Sequence, residues 1–220
     1  MTPEERAKRQ SIISQCCWMN DNGLNQGTSG NISVRHDEGI LITPSGIAYE
    51  TMEPEMVAYM PFGPDYGSWQ GPKRPSTEWR FHLDIMKERP DINAIVHTHA
   101  TFATIISMTR RGIPPCHYMI AAFGGPDIRC TPYARFGTSE LSQLAVKALD
   151  QRMGCLLGSH GMIALGDTLD KAMWFAVELE TLARQYYHSL LIGGSVLLSE
   201  AEIAETAQAM QGYGLQDDEV

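Results

Sequence analysis

Apolar residues recur at helical spacing at Ile12, Ile13, Cys16, Cys17 and Met19, which predicts an amphipathic helix over residues 4–22, stopped by Gly23. The period then changes. Residues 32–35 alternate polar and apolar, residues 39–43 form a short apolar run, and Asp37-Glu38-Gly39 between them reads as a hairpin turn. A further strand is expected around residues 56–60, followed by a Gly- and Pro-rich surface hairpin or loop over 62–73. Residues 76–89 read as a helix, with Ser76 or Thr77 as its cap and Pro90 as its stop. A short buried strand at 94–97 leads into a helix at 101–111. Gly112-Ile-Pro-Pro is expected to lead into another apolar strand that carries His117 and Tyr118. Residues 139–150 are helical in pattern, and 155–157 and 162–165 form two strands joined by Gly158-Ser-His-Gly161. The longest helix is expected at 168–191 and a last one at 200–210.

Several of these pairs are hairpin-like, so strict strand–helix–strand alternation is absent. That order predicts an α/β fold with helices packed around a mostly antiparallel central sheet. No repeat or linker divides the chain, and residues 1–220 read as one domain.

Composition narrows the function classes. At 220 residues and 43% hydrophobic, the chain can bury one substantial core. The formal charge is −9, from 26 acidic and 17 basic residues, with no basic stripe, which argues against nucleic acid as a partner. No apolar run reaches 18 residues, so no membrane span is expected. The charged N-terminal segment has no apolar signal-peptide core, and a cytoplasmic location is expected. Five cysteines without C-x-x-C spacing read as reduced thiols in that compartment.

Candidate chemistry begins at Val96-His97-Thr98-His99-Ala100. On extended chain, residues two apart point to one side, so His97 and His99 can converge on one ion. A catalytic zinc typically has three protein ligands and one open position. His160, in its glycine-flanked turn, is the candidate third ligand, and Glu78 is a candidate for the fourth position when substrate is absent. The remaining histidines read as structural. His82, one helical turn after Glu78, is expected to support the fold or the site from behind.

Three short turns bear hydroxyls and glycine: Thr28-Ser29-Gly30-Asn31, Ser45-Gly46 and Ser76-Thr77. Backbone amides in such turns can face an anion, and none of the three matches a nucleotide P-loop. In order along the chain stand G-T-S-G-N-I-S (27–33), T-P-S-G (43–46), P-S-T-E-W-R-F-H (75–82), V-H-T-H-A (96–100), H-Y-M-I-A-A (117–122), P-Y-A-R-F-G-T (132–138) and H-G-M-I-A (160–164). Together they resemble the class II aldolase/adducin family over nearly the whole chain.

The resemblance implies a homotetramer whose sites are completed by neighbouring subunits. It implies Zn²⁺, or another divalent ion such as Mn²⁺ or Co²⁺, held by His97, His99 and His160, with Glu78 as acid/base. It assigns the substrate phosphate to Thr28, Asn31, Ser45, Gly46, Ser76 and Thr77. Tyr118 would reach the aldehyde oxygen from the next subunit, Tyr213 would close over the site, and Phe136 would line the aldehyde pocket. The implied reaction is reversible cleavage of a ketose 1-phosphate into dihydroxyacetone phosphate and an aldehyde. Members acting on L-fuculose 1-phosphate carry phenylalanine where Met210 stands. Methionine adapts to irregular apolar groups, so the expected substrates include 5-deoxyribulose and 5-methylthioribulose 1-phosphates beside the fuculose type. A decarboxylase of a keto-acid phosphate and a non-catalytic adducin-like interaction module are the alternatives. The module is disfavoured by the three histidines.

Overall fold

Alternation along the strands sends side chains into two different cores. The computed structural model describes residues 1–210. Six strands, β1 (Asn31–His36), β2 (Gly39–Ile42), β3 (Ala58–Pro61), β4 (Ala94–Thr98), β5 (Gly154–Leu157) and β6 (Gly161–Gly166), form one sheet in the order β3-β2-β1-β4-β6-β5. Every neighbouring pair in that sheet is antiparallel. On one face, Ile32, Leu41, Val96, Leu156, Met162 and Ala164 pack with α1 (Pro3–Asp21), α3 (Thr101–Met108) and α5 (Leu169–Leu191). On the other, Ile40, Ile42, Ile95, Leu157, Ile163 and Leu165 pack with α2 (Trp79–Glu88) and α4 (Ser139–Ala148). Strands covered on both faces need apolar residues at consecutive positions, and β2, β5 and β6 show such runs. Full burial of each Ile or Leu favours folding by about 1.5–3 kcal/mol. The fold is the expected α/β arrangement around an antiparallel sheet.

Local signals set the helix starts. Thr2, Thr138 and Thr168 each accept a hydrogen bond from a first-turn N–H of α1, α4 and α5. Helix α6 (Glu200–Met210) packs against the 3₁₀ turn Tyr118–Phe123. Among the described residues, no helix is long and apolar enough to cross a membrane.

Two expected elements differ. The strand foreseen after Gly112-Ile-Pro-Pro does not form. Ile113 makes a single bridge to Ile128, and the chain then turns into the 3₁₀ helix Tyr118–Phe123. Pro114 and Pro115 supply no N–H, so a ladder cannot continue through them. Helix α2 begins at Trp79 rather than Ser76. Ser76 Oγ instead accepts the Glu78 N–H at 3.2 Å, closing a turn that leaves Glu78 just outside the helix.

Candidate active site

The end of β4, in the middle of the sheet, is where the candidate ligands meet. His97 lies opposite Asn31 of β1 and Ile163 of β6, and His99 follows one residue past the strand. His160 comes from the tight turn between β5 and β6, where Ser159 holds a left-handed φ of 53°. The three imidazole centroids stand 5.0, 4.9 and 4.9 Å apart, a nearly equilateral triangle. Two glycines permit this crowding. A Cβ on Gly161 would meet Thr98 O at 2.5 Å and the His99 ring at 3.0 Å, and one on Gly30 would meet His97 O at 2.8 Å.

Glu78 reaches the triangle from the turn before α2, with φ −99° and ψ 12°, a sparsely populated conformation in which active-site residues recur. One nitrogen from each of His97, His99 and His160 and one oxygen of Glu78 all lie within 4.8 Å of one another. Glu78 Oε2 is 3.1 Å from His97 Nε2, and Oε1 is 3.2 Å from His160 Nε2. These contacts are close but lack hydrogen-bond geometry: Glu78 Oε1, His97 Nε2 and His99 Nε2 are buried without a hydrogen-bond partner among the described residues. Buried polar atoms left unpaired cost about 1–3 kcal/mol each, so three aimed at one point call for a shared partner.

Protonation agrees with a cation there. His97 Nδ1 lies 2.9 Å from the Met162 carbonyl, which can only accept, so the proton sits on Nδ1 and the Nε2 lone pair faces the cluster. Burial raises the Glu78 carboxyl, but His97 and His160 more than offset this and hold it well below the usual range. Burial, followed by the neighbouring imidazoles, pushes His99 down to about 4. A carboxylate beside three imidazoles, one of them with its Nε2 lone pair turned inward, is the donor set a divalent cation requires. The residues fit such an ion.

The remaining expected residues fall as follows. The Ser76 N–H donates to Thr43 O at 2.9 Å, and Pro44 bridges Pro75, which brings the 43–46 and 75–78 turns together. Thr28, Ser45, Gly46 and Thr77 are exposed, whereas Ser76 and Asn31 are buried. The Asn31 Nδ2 donates to Glu78 Oε2 at 3.0 Å. Tyr118 opens its 3₁₀ turn with 54% of its surface exposed, and Phe136 is 60% exposed. Met210, the last residue of α6, is half-buried against the α1–α5 core. Tyr213 lies outside the described residues.

Two supporting groups had no clear signal in the sequence. Asn25 Oδ1 accepts from Ser29 and Thr98 hydroxyls, tying the 27–31 turn to the end of β4. Glu180 of α5 accepts the Phe102 and Ala103 N–H groups, both at 2.8 Å, at the start of α3. The hint for the second was negative: Ala100, preceding α3, has no side chain able to cap it.

The profile of the Class II Aldolase and Adducin N-terminal domain matches residues 10–187. A 5-methylthioribulose-1-phosphate/5-deoxyribulose-1-phosphate aldolase of Rhodospirillum rubrum is 46% identical over 208 residues, covering 94% of this chain and 93% of that protein. An L-fuculose phosphate aldolase of Escherichia coli is 45% identical over 217 residues, covering 98% and 100%. A solved L-fuculose 1-phosphate aldolase superposes with a TM-score of 0.89 at 33% identity, covering 96% of this chain and 98% of its own. The matched profile spans the sheet, the histidine triangle and Glu78 alike, and the chain belongs to the class II aldolase and adducin family.

Proposed function

We propose that this protein is a metal-dependent aldolase that reversibly cleaves a ketose 1-phosphate into dihydroxyacetone phosphate and an aldehyde. The observation that carries the proposal is the convergence of His97, His99, His160 and Glu78, with buried ring and carboxylate atoms left unpartnered. Zn²⁺ suits three imidazoles and a carboxylate, and when bound it supplies a Lewis acid for charge developing on the phosphate-bearing fragment.

Glu78 then carries the proton to and from the carbon released by cleavage, at the oxygen not held by Asn31. Thr28, Ser45, Gly46, Ser76 and Thr77, with the second Nδ2 hydrogen of Asn31, are assigned to the phosphate. Left-handed Gly46, at φ 69°, lets that turn close with Ser45 and Gly46 at the surface. Tyr118 exchanges a proton with the oxygen of a neighbouring subunit's substrate that becomes the aldehyde, taking it on cleavage and returning it on condensation, a role suited to its exposed position. Tyr213 closes over the site, and Phe136 and Met210 line the aldehyde pocket. These assignments imply a homotetramer with sites at subunit interfaces.

The named activities of the relatives support a sugar 1-phosphate substrate with an apolar end group, of the L-fuculose or 5-deoxy/5-methylthioribulose type. A panel of ketose 1-phosphates, assayed for dihydroxyacetone phosphate, tests the reading. Chelation should abolish cleavage and Zn²⁺ restore it. Glu78→Gln should keep the metal and lose about 10²–10⁴-fold in kcat, the usual worth of a general acid/base. Full turnover by the metal-free protein, or by Glu78→Gln, would remove the proposal's basis.

A further inference from the structure

Behind Glu78 lies a chain of hydrogen bonds that the proposed reaction does not itself require. Ser33 Oγ is 2.7 Å from His82 Nδ1, and His82 Nε2 is 2.5 Å from Asn31 Oδ1. Asn31 Nδ2 donates to Glu78 Oε2 at 3.0 Å. All four residues are buried. Ser33 and Asn31 are two apart on β1 and so share one face of the sheet, while His82 stands one helical turn beyond Glu78.

Each link has only one workable direction. A carboxylate accepts and cannot donate, so the Asn31 NH₂ must face Glu78. The Asn31 carbonyl oxygen then faces His82, whose Nε2 must carry the proton. His82 Nδ1 is thereby left as an acceptor, and the Ser33 hydroxyl must donate to it. We infer that Ser33 and His82 act as a positioning relay, fixing the Asn31 amide so that its NH₂ holds Glu78 Oε2 and leaves Oε1 as the proton-exchanging oxygen. The inference rests on the reading of Glu78 as the proton carrier. Reversing the relay would set the Asn31 carbonyl against Glu78 Oε2 at 3.0 Å, two acceptors facing each other, and Glu78 would have to turn away. Burial pushes His82 down to about 3, so the ring stays neutral and keeps its single proton where the relay places it.

The relay predicts a tautomer. In ¹⁵N-histidine NMR of the full-length protein, His82 should carry its proton on Nε2. A proton on Nδ1 overturns the relay, whatever the enzyme's activity. His82→Phe keeps the buried volume but removes both links, and should lower kcat about 10–100-fold with metal content unchanged. His82→Gln retains a donor at the Nε2 position and should recover turnover to within about fivefold of wild type, less than the about tenfold that one lost hydrogen bond can cost. Turnover of His82→Phe within about twofold of wild type, or equal losses for Phe and Gln, rejects the role. Should His82→Phe fail to fold, Ser33→Ala decides. It is expected to mix the His82 tautomers and lower kcat about threefold to tenfold, and an unchanged tautomer with unchanged kcat rejects the relay. A wild-type enzyme that cleaves no ketose 1-phosphate would defeat the proposed function while leaving the tautomer test intact.

Discussion

At the scale of single residues, the site depends on what is missing from position 161 as much as on the four donors. A methyl group there would press on Thr98 O and on the His99 ring, at 2.5 and 3.0 Å. Backbone cannot yield cheaply, so the ring would move. Gly161→Ala should therefore weaken divalent-metal binding at least about tenfold and destabilise the fold by about 1–3 kcal/mol. Competitive chelator titration and denaturant unfolding read the two effects separately. Metal affinity equal to wild type would mean that His99 is not held where the triangle puts it. Glycine was visible in the sequence at this position, but the neighbour it spares was not, because that neighbour lies 62 residues earlier in the chain.

At the scale of elements, two carboxylates hold helix ends far from one another in sequence. Among the described residues, the Phe102 and Ala103 N–H groups of α3, which begins two residues after His99, donate to Glu180. Glu180→Ala should cost about 1–2 kcal/mol, as losing a helix cap does. Denaturant midpoints measure it, and a change under about 0.5 kcal/mol would show that water replaces the carboxylate. Glu5 accepts from Arg9 at 2.9 Å, and the buried Arg9 guanidinium also bonds the Pro54 and Val57 carbonyls beside β3. Burial pushes the Glu5 carboxyl up, and Arg9 more than offsets this, so its folded pKa is lowered from 4.5. A lowered carboxylate stabilises the fold above its unfolded pKa and loses that contribution as pH falls through the folded value. Glu5→Gln should thus cost about 1.5 kcal/mol at pH 7 and progressively less below about pH 4.5. Stability curves for the two proteins that run parallel down to pH 3 would refute the pairing.

Elements of this kind mark the boundary of what the sequence discloses. Periodicity located the six α-helices and the six strands, since burial on one stripe or on two faces leaves a repeating mark. It failed at residues 114–118, where apolar content suggested a strand but two adjacent prolines remove the N–H groups a ladder needs. It also placed Glu78 on a helix, because a Ser-Thr pair resembles a cap; the Ser76 hydroxyl in fact closes the preceding turn. The four donors were legible as residue types at suggestive spacings. Their convergence was not, because it is produced by the pairing of β4 with β1 and β6.

At the scale of the whole molecule, those pairings would make an ion held by the four donors a fastener for the sheet. His97 and His99 sit on the central strand, His160 on the β5–β6 turn, and Glu78 on the segment entering α2, so an ion held by all four ties together parts of the chain 82 residues apart. Unfolding separates these donors. Metal bound to the native state alone raises stability by RT ln(1 + [L]/Kd), about 2.7 kcal/mol at a hundredfold excess over Kd. For a domain of this size, that corresponds to about 5–11 °C in melting temperature. Thermal melts of the chelated protein with rising Zn²⁺ should show the increase grow with the logarithm of metal concentration. His160→Ala should remove most of it, since the sheet loses its link to the β5–β6 turn. His188→Ala, on exposed α5 surface where the ring hydrogen-bonds the Arg184 carbonyl and stands far from the four donors in sequence, should melt with the same metal-dependent rise as wild type. A melting temperature indifferent to zinc in the wild-type protein would mean that the four donors do not share an ion in the folded state.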